Sequence, residues 1–180
     1  YGLAPQPSLG QTVERCRRAL AWIVKRAKNL QIDPNAIHLA GCSAGGHLAA
    51  MTALADWARL GVPSSPLRSL TLLSGVFDLR PLPLTYVNDA VKMSAEDALL
   101  NSPLLLIDGA QGVFPPTLVV WGDNETSEFK RQSREFAESI SRKGTPVQAE
   151  EIAGRNHFDL IFDIGEQSTP FGAMTLERLR

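Results

Sequence analysis

Ile37-His38-Leu39-Ala40-Gly41-Cys42-Ser43-Ala44-Gly45-Gly46-His47 sets the architecture of this chain. Residues 37–40 read as a short buried strand, and Gly41 ends it. From Ala44 to about Arg59 nearly every residue is small or apolar, which predicts a helix packed closely on a sheet. Gly41 to Gly45 fit G-x-S-x-G, a strand-to-helix turn with serine at its apex in a strained conformation. The flanking glycines let strand and helix approach each other. The helix amino terminus then points free N–H groups at charge developing beside the serine. The pentapeptide alone is common. Its place between a strand and a helix makes Ser43 a candidate nucleophile, against the alternative of an inert serine in a glycine-rich turn.

Outward from this stretch, helix-like and strand-like segments alternate, which predicts an α/β domain with a largely parallel sheet flanked by helices. Residues 8–30 read as one helix. Leu9, Val13, Cys16, Leu20, Ile23, Ala27 and Leu30 form a single apolar stripe, and Ser8 and Gln11 have capping-box spacing. Six bases and one acid between Glu14 and Lys28 lie opposite the stripe and read as a solvated face. Further strands are expected at 69–74, 117–121 and 147–152. Helices are expected at 127–143 and after Pro170, which suits a first helical position behind Thr169. Residues 76–116 carry Pro81, Pro83, Pro103, Pro115 and Pro116 and one short helical pattern near Ser94–Leu100. So long a connection reads as a lid-like insertion over the carboxyl edge of the sheet. Tyr86, Asn88 and Phe77 could line a pocket there, and proline-rich packing accounts for them equally well.

A serine at its ordinary pKa is a weak nucleophile and needs a base. Of the three histidines, His38 lies within a strand and reads as a core residue. His47 lies one turn into the helix after Ser43 and reads as packing against a neighbour. His157 follows the last strand in Gly154-Arg155-Asn156-His157-Phe158, at the same sheet edge as Ser43, and position favours it. The imidazole in turn needs an acid. Asp123 and Glu125, in Gly122-Asp123-Asn124-Glu125, both leave strand 117–121 at that edge. Either could instead cap the helix that follows.

These residues carry a resemblance. Gly41 to Ala49 and the order Ser, acid, His resemble the α/β-hydrolase superfamily, in particular its hormone-sensitive-lipase-like esterases. The match to the kynurenine formamidases (arylformamidases) is closer. Tyr1-Gly2-Leu3-Ala4-Pro5 looks like their Y-x-L-x-P segment, and Asn101-Ser102-Pro103 like a motif of their lid. Glu125 to Ser133 is similar to their D-S-P-E-F-x-R-Q-S block, and His157-Phe158 to their closing H-F. The resemblance implies Glu125 as the acid, glutamate standing where that family has aspartate, with Asp123 as runner-up. It implies attack by Ser43, with His157 as base and the Ala44 N–H as an oxyanion donor, on an N-formylkynurenine-like aryl formamide or small ester. The family's H-G-G oxyanion motif, far upstream of the Y-x-L-x-P segment, has no counterpart here. The chain is therefore expected to be the carboxyl-terminal portion of a single α/β-hydrolase domain, incomplete at its amino end. The rival expectations are a general carboxylesterase and an impaired piece that only binds.

Composition bounds the rest. The chain has 180 residues, 44% hydrophobic and 21% charged, enough for one domain with a sizeable core. A formal charge of −1 argues against nucleic acid as a partner. No apolar run is long enough to span a membrane, and no signal peptide is visible. Two cysteines are too few for a disulfide framework, and three histidines without ligand spacing argue against a metal. The expectation is a cytoplasmic protein with no cofactor and a small-molecule acyl substrate. The open edge of its parallel sheet favours self-association into a homo-oligomer.

Overall fold

The computed structural model describes residues 2–110 and 114–179. Tyr1, named above for the Y-x-L-x-P segment, and residues 111–113 of the insertion lie outside that range.

The first helix, α1 (Leu9–Lys25), opens on a complete capping box. The Gln11 N–H donates to Ser8 Oγ and the Ser8 N–H to Gln11 Oε1. The helix expected to reach residue 30 breaks at Arg26, where φ is −110°, and resumes as the single turn α2 (Ala27–Leu30). The Arg26 N–H is shared between the Trp22 and Ile23 carbonyls, and Leu30, the last residue of the stripe, is exposed. The basic face is not wholly solvated either. Arg17 turns inward and donates from Nε and Nη2 to the Met51 carbonyl, at 3.0 and 2.5 Å.

Met51 belongs to α3 (Ala44–Ala53), which follows β1 (Ile37–Cys42). The helix expected to run to about residue 59 ends six residues earlier. The chain turns there so that Trp57 and Val62 can bury against Leu20 and Ala21 of α1. Burial of an indole outweighs the modest helix propensity of the segment.

The second strand, β2 (Leu67–Leu73), leads into the insertion, which is more helical than expected. It holds a 3-10 turn at Leu82–Leu84 and the short helices α4 (Asn88–Val91), α5 (Ala95–Leu100) and α6 (Pro103–Leu106). Then come β3 (Thr117–Asn124), α7 (Ser127–Arg142), β4 (Val147–Asn156) and α8 (Pro170–Arg178), with Thr169 as cap and Pro170 at the first position. Both β3 and β4 extend three or four residues past the strand ends expected from the sequence.

The strands form one parallel sheet in the order β1-β2-β3-β4. Alternation along the strands sorts its two faces. Leu70, Leu72, Val119 and Trp121 meet α3 and α7 through Ala49, Ala50, Phe136 and Ile140. Leu73, Leu118, Val120 and Ile152 meet Leu160 and Phe171 of the carboxyl-terminal segment. Helices thus cover both faces, the three-layer arrangement that a parallel sheet requires. All four strands run the same way, so the residues that follow them gather at one edge.

Candidate active site

At that edge β1 hands over to α3 through Ser43, whose backbone sits at φ 56° and ψ −121°. Few non-glycine residues adopt that region, and holding one there costs of order 1–3 kcal/mol. The turn is this tight because its flanks are bare. A Cβ on Gly41 would lie 2.1 Å from the Gly45 carbonyl oxygen. The Ser43 N–H is tied to the Leu73 carbonyl of β2 at 2.9 Å, and its side chain projects from the edge. Ala44 begins α3, so its N–H is among those that no helical carbonyl satisfies.

His157 follows β4 directly. Its Nε2 lies 2.9 Å from Ser43 Oγ and its Nδ1 lies 3.0 Å from Glu125 Oε2. A carboxylate only accepts, so Nδ1–H donates to Glu125 and Nε2 is left to accept the serine proton. The ring is packed as well as bonded. Phe129 of α7 lies against it at 4.3 Å between centroids, and Phe158 meets it edge-on at 5.4 Å. Asn156 holds the loop, bonding the Phe158 N–H and both carboxylate oxygens of Asp159.

Glu125 lies just past β3, and its side chain is wholly buried. Oε1 accepts from the Ser74 hydroxyl at 2.5 Å and from the Gly122 N–H at 2.8 Å. Burial alone would push this carboxyl up, but the bonds from His157, Ser74 and Gly122 outweigh it and leave it below the ordinary carboxylate range. Asp123, the other acid that the sequence left open, accepts the Arg155 N–H at 3.2 Å and does not reach the imidazole. The close approach of β3 and β4 depends on Gly122, where a Cβ would lie 2.2 Å from the Arg155 carbonyl oxygen.

The remaining candidates settle elsewhere. His38 bonds Ser69 through Nδ1 at 2.7 Å, within the sheet. His47 is buried and donates from Nε2 to the Asn101 carbonyl at 2.7 Å, joining α3 to the insertion. Burial pushes its pKa down. Cys42, beside the serine, is pushed up first by burial and then by the charge of Glu125, so its thiol stays protonated at neutral pH. Sequence reasoning missed Ser74 and Phe129 as neighbours of Glu125 and His157. Only the placement of Ser74-Gly75 at a strand's carboxyl end hinted at the first.

A cavity of about 390 Å³ opens beside Ala44 and Gly45. Its walls come from α1, α3 and the insertion, chiefly Leu48, Leu79, Leu82, Val87, Val91 and Met93. Of the two readings open for Phe77, Tyr86 and Asn88, lining a pocket is not the one this cavity shows. Phe77 is buried in the core, stacked on Phe136 at 4.2 Å, Tyr86 is 86% exposed, and Asn88 bonds the backbone of its own loop at Met93. Aliphatic side chains of the insertion occupy the wall instead. Among the described residues no group of His, Cys, Asp and Glu could hold a metal, and no helix is long and apolar enough to cross a membrane.

A strained serine between a parallel strand and a helix, joined at one sheet edge to a histidine after β4 and an acid after β3, defines a class. The chain belongs to the alpha/beta hydrolase fold family, whose model matches residues 1–160. It is 30% identical over 170 residues to the kynurenine formamidase of Danio rerio, covering 93% of this chain and 56% of that one. It is 31% identical over 164 residues to that of Salmo salar, covering 89% and 54%. The chain therefore spans about half the length of these relatives. A thermostable carboxylesterase from a metagenomic library superimposes with TM-score 0.76 at 25% identity, over the whole of this chain and 67% of that one. The Pyrobaculum calidifontis esterase, at 21% identity, shares the fold with TM-score 0.80, over 99% of this chain and 63% of that one.

Proposed function

We propose that Ser43, His157 and Glu125 act as a catalytic triad for acyl transfer. The observation that carries this is the unbroken relay Ser43 Oγ to His157 Nε2, and His157 Nδ1 to Glu125 Oε2, at 2.9 and 3.0 Å. His157 takes the hydroxyl proton as Ser43 attacks the substrate carbonyl. The Ala44 N–H stabilises the oxyanion. His157 then protonates the leaving amine or alcohol, and water repeats the cycle on the acyl-enzyme while Glu125 stays ionised. The two kynurenine formamidase relatives support an aryl formamide or small aryl ester as the substrate class.

The cavity favours a second reading, a general carboxylesterase. Among the described residues no lysine, arginine, aspartate or glutamate lines it. Its polar side chains are Thr12, which donates to the Ser8 carbonyl, and His47, whose Nε2–H is bound to Asn101. An uncharged apolar group fits those walls.

The test is intact mass after incubation with a fluorophosphonate, beside Ser43→Ala. One adduct on the parent chain, absent from the variant, is expected. A folded sample that takes no adduct overturns the triad. Formamide and ester panels, with and without charged headgroups, then separate the two substrate readings.

A further inference from the structure

We infer that Ser74 is a positioning residue for the acid: its hydroxyl holds one oxygen of Glu125 so that the other faces His157. The inference rests on the triad reading above and adds a fourth side chain to it. Ser74 lies just past the carboxyl end of β2, the strand between the one that leads to Ser43 and the one that leads to Glu125. It is fully buried. Its N–H is tied to the Val120 carbonyl at 2.8 Å and its Oγ donates to Glu125 Oε1 at 2.5 Å.

Two features make the hydroxyl more than a convenient neighbour. The first is the acid's length. A glutamate has one more side-chain torsion than an aspartate, and that last torsion is soft. Nothing intrinsic to the residue decides which oxygen meets the imidazole. Here Oε1 takes both the Ser74 hydroxyl and the Gly122 N–H, and Oε2 is left for Nδ1. The second is the backbone. Ser74 sits at φ 44°, where a glycine would rest without strain. The chain holds a strained side chain at this spot, and among the described residues the only hydrogen bond that side chain makes is to the acid. The carboxyl's depressed proton affinity fits the same picture.

The backbone geometry supplies a clean variant. Ser74→Gly removes the hydroxyl and relaxes the backbone, so the fold is not weakened by strain. If Ser74 served only the fold, this change would lower the melting temperature and leave the surviving folded protein fully reactive. The positioning role predicts that the folded variant reacts with a fluorophosphonate about tenfold more slowly, the loss expected for one charge-assisted hydrogen bond. On 4-nitrophenyl acetate kcat should fall with KM unchanged. In a Glu125→Gln background the same change should have no further effect, because there is no charged acid left to aim. A parent chain that labels at Ser43, with a Ser74→Gly variant that labels equally fast, overturns the inference and leaves the triad standing. A parent chain that does not label overturns the triad and the inference together.

Discussion

The side-chain amide of Gln132 closes on the backbone of Phe77 and Asp78 across the gap between α7 and the insertion. Its Oε1 accepts both N–H groups, at 2.7 and 2.8 Å, and its Nε2 donates to the Asp78 carbonyl at 3.0 Å. One side chain thus satisfies three backbone groups in a buried site. Replacing it with alanine strands two donors, each costing about 1–3 kcal/mol. Gln132→Ala is expected to lose about 2–4 kcal/mol in a urea titration, while a surface change such as Glu138→Ala loses almost nothing. Equal, small losses would mean that water replaces the amide.

Gln132 also shows what was legible beforehand. The block Glu125 to Ser133 stood out as a pattern, but only its first residue had a chemical reading. The helix period of α7 puts Phe129, Phe136 and Ile140 inward; Phe136 and Ile140 are buried, whereas Phe129 is half-buried against His157. Period alone could not say that Gln132, on the same face, reaches a loop 54 residues earlier in the chain. The elbow, the strands and the place of His157 were readable because each is local: a glycine-flanked turn, an apolar run, a histidine just after a strand. The strand order is not local and came only from the structure. Glu125 and Asp123 stayed unresolved because they differ by two positions on an extended chain, and only the bulge between Gly122 and Asn124 decides which one turns inward. The cavity wall stayed open between lining and packing for a related reason. Aromatic residues look like pocket liners, but burial of Phe77 against Phe136 gains more than exposure in a cavity, so aliphatic residues were left to line it.

Ser43 is strained whether or not it is reactive. At φ 56° and ψ −121° any residue with a Cβ carries the cost, and glycine does not. Ser43→Ala and Ser43→Gly should both abolish fluorophosphonate labelling. Ser43→Gly should be the more stable of the two, by about 1 kcal/mol, because the relief of strain exceeds the entropy lost by glycine. Equal stabilities would show that the elbow relaxes once the hydroxyl is gone.

Glu125 ties stability to acid. Its carboxyl is held below the ordinary 4.5 in the folded chain, so its ionised form stabilises the fold at neutral pH. That contribution is complete above the unfolded value and disappears as pH falls through the folded one. Glu125→Gln is therefore expected to be less stable than the parent at pH 7, with the gap in urea midpoint closing towards pH 3. Its labelling rate should drop on the order of 10⁴-fold, as when a triad acid loses its charge. A stability gap that does not change with pH would mean that the carboxyl titrates alike in both states.

His47 acts in a milder range. Burial lowers its proton affinity in the folded chain, while its Nε2–H stays bound to the Asn101 carbonyl. The unfolded chain takes up a proton near pH 6.5 and the folded chain resists it. Stability should therefore be unaffected above pH 7 and should fall as pH drops below 6.5, by at most about 1.4 kcal/mol per pH unit. His47→Gln can keep a donor to Asn101 without a titrating ring. It should be nearly as stable as the parent at pH 7.5 and lose less on acidification to pH 5.5. The comparison also reaches the cavity, because this bond ties the insertion to α3 beside Ala44. His47→Phe leaves the Asn101 carbonyl unpaired and should raise KM for apolar esters, with kcat changed little. A variant that lowers kcat alone would place His47 with the reacting atoms and not with the wall.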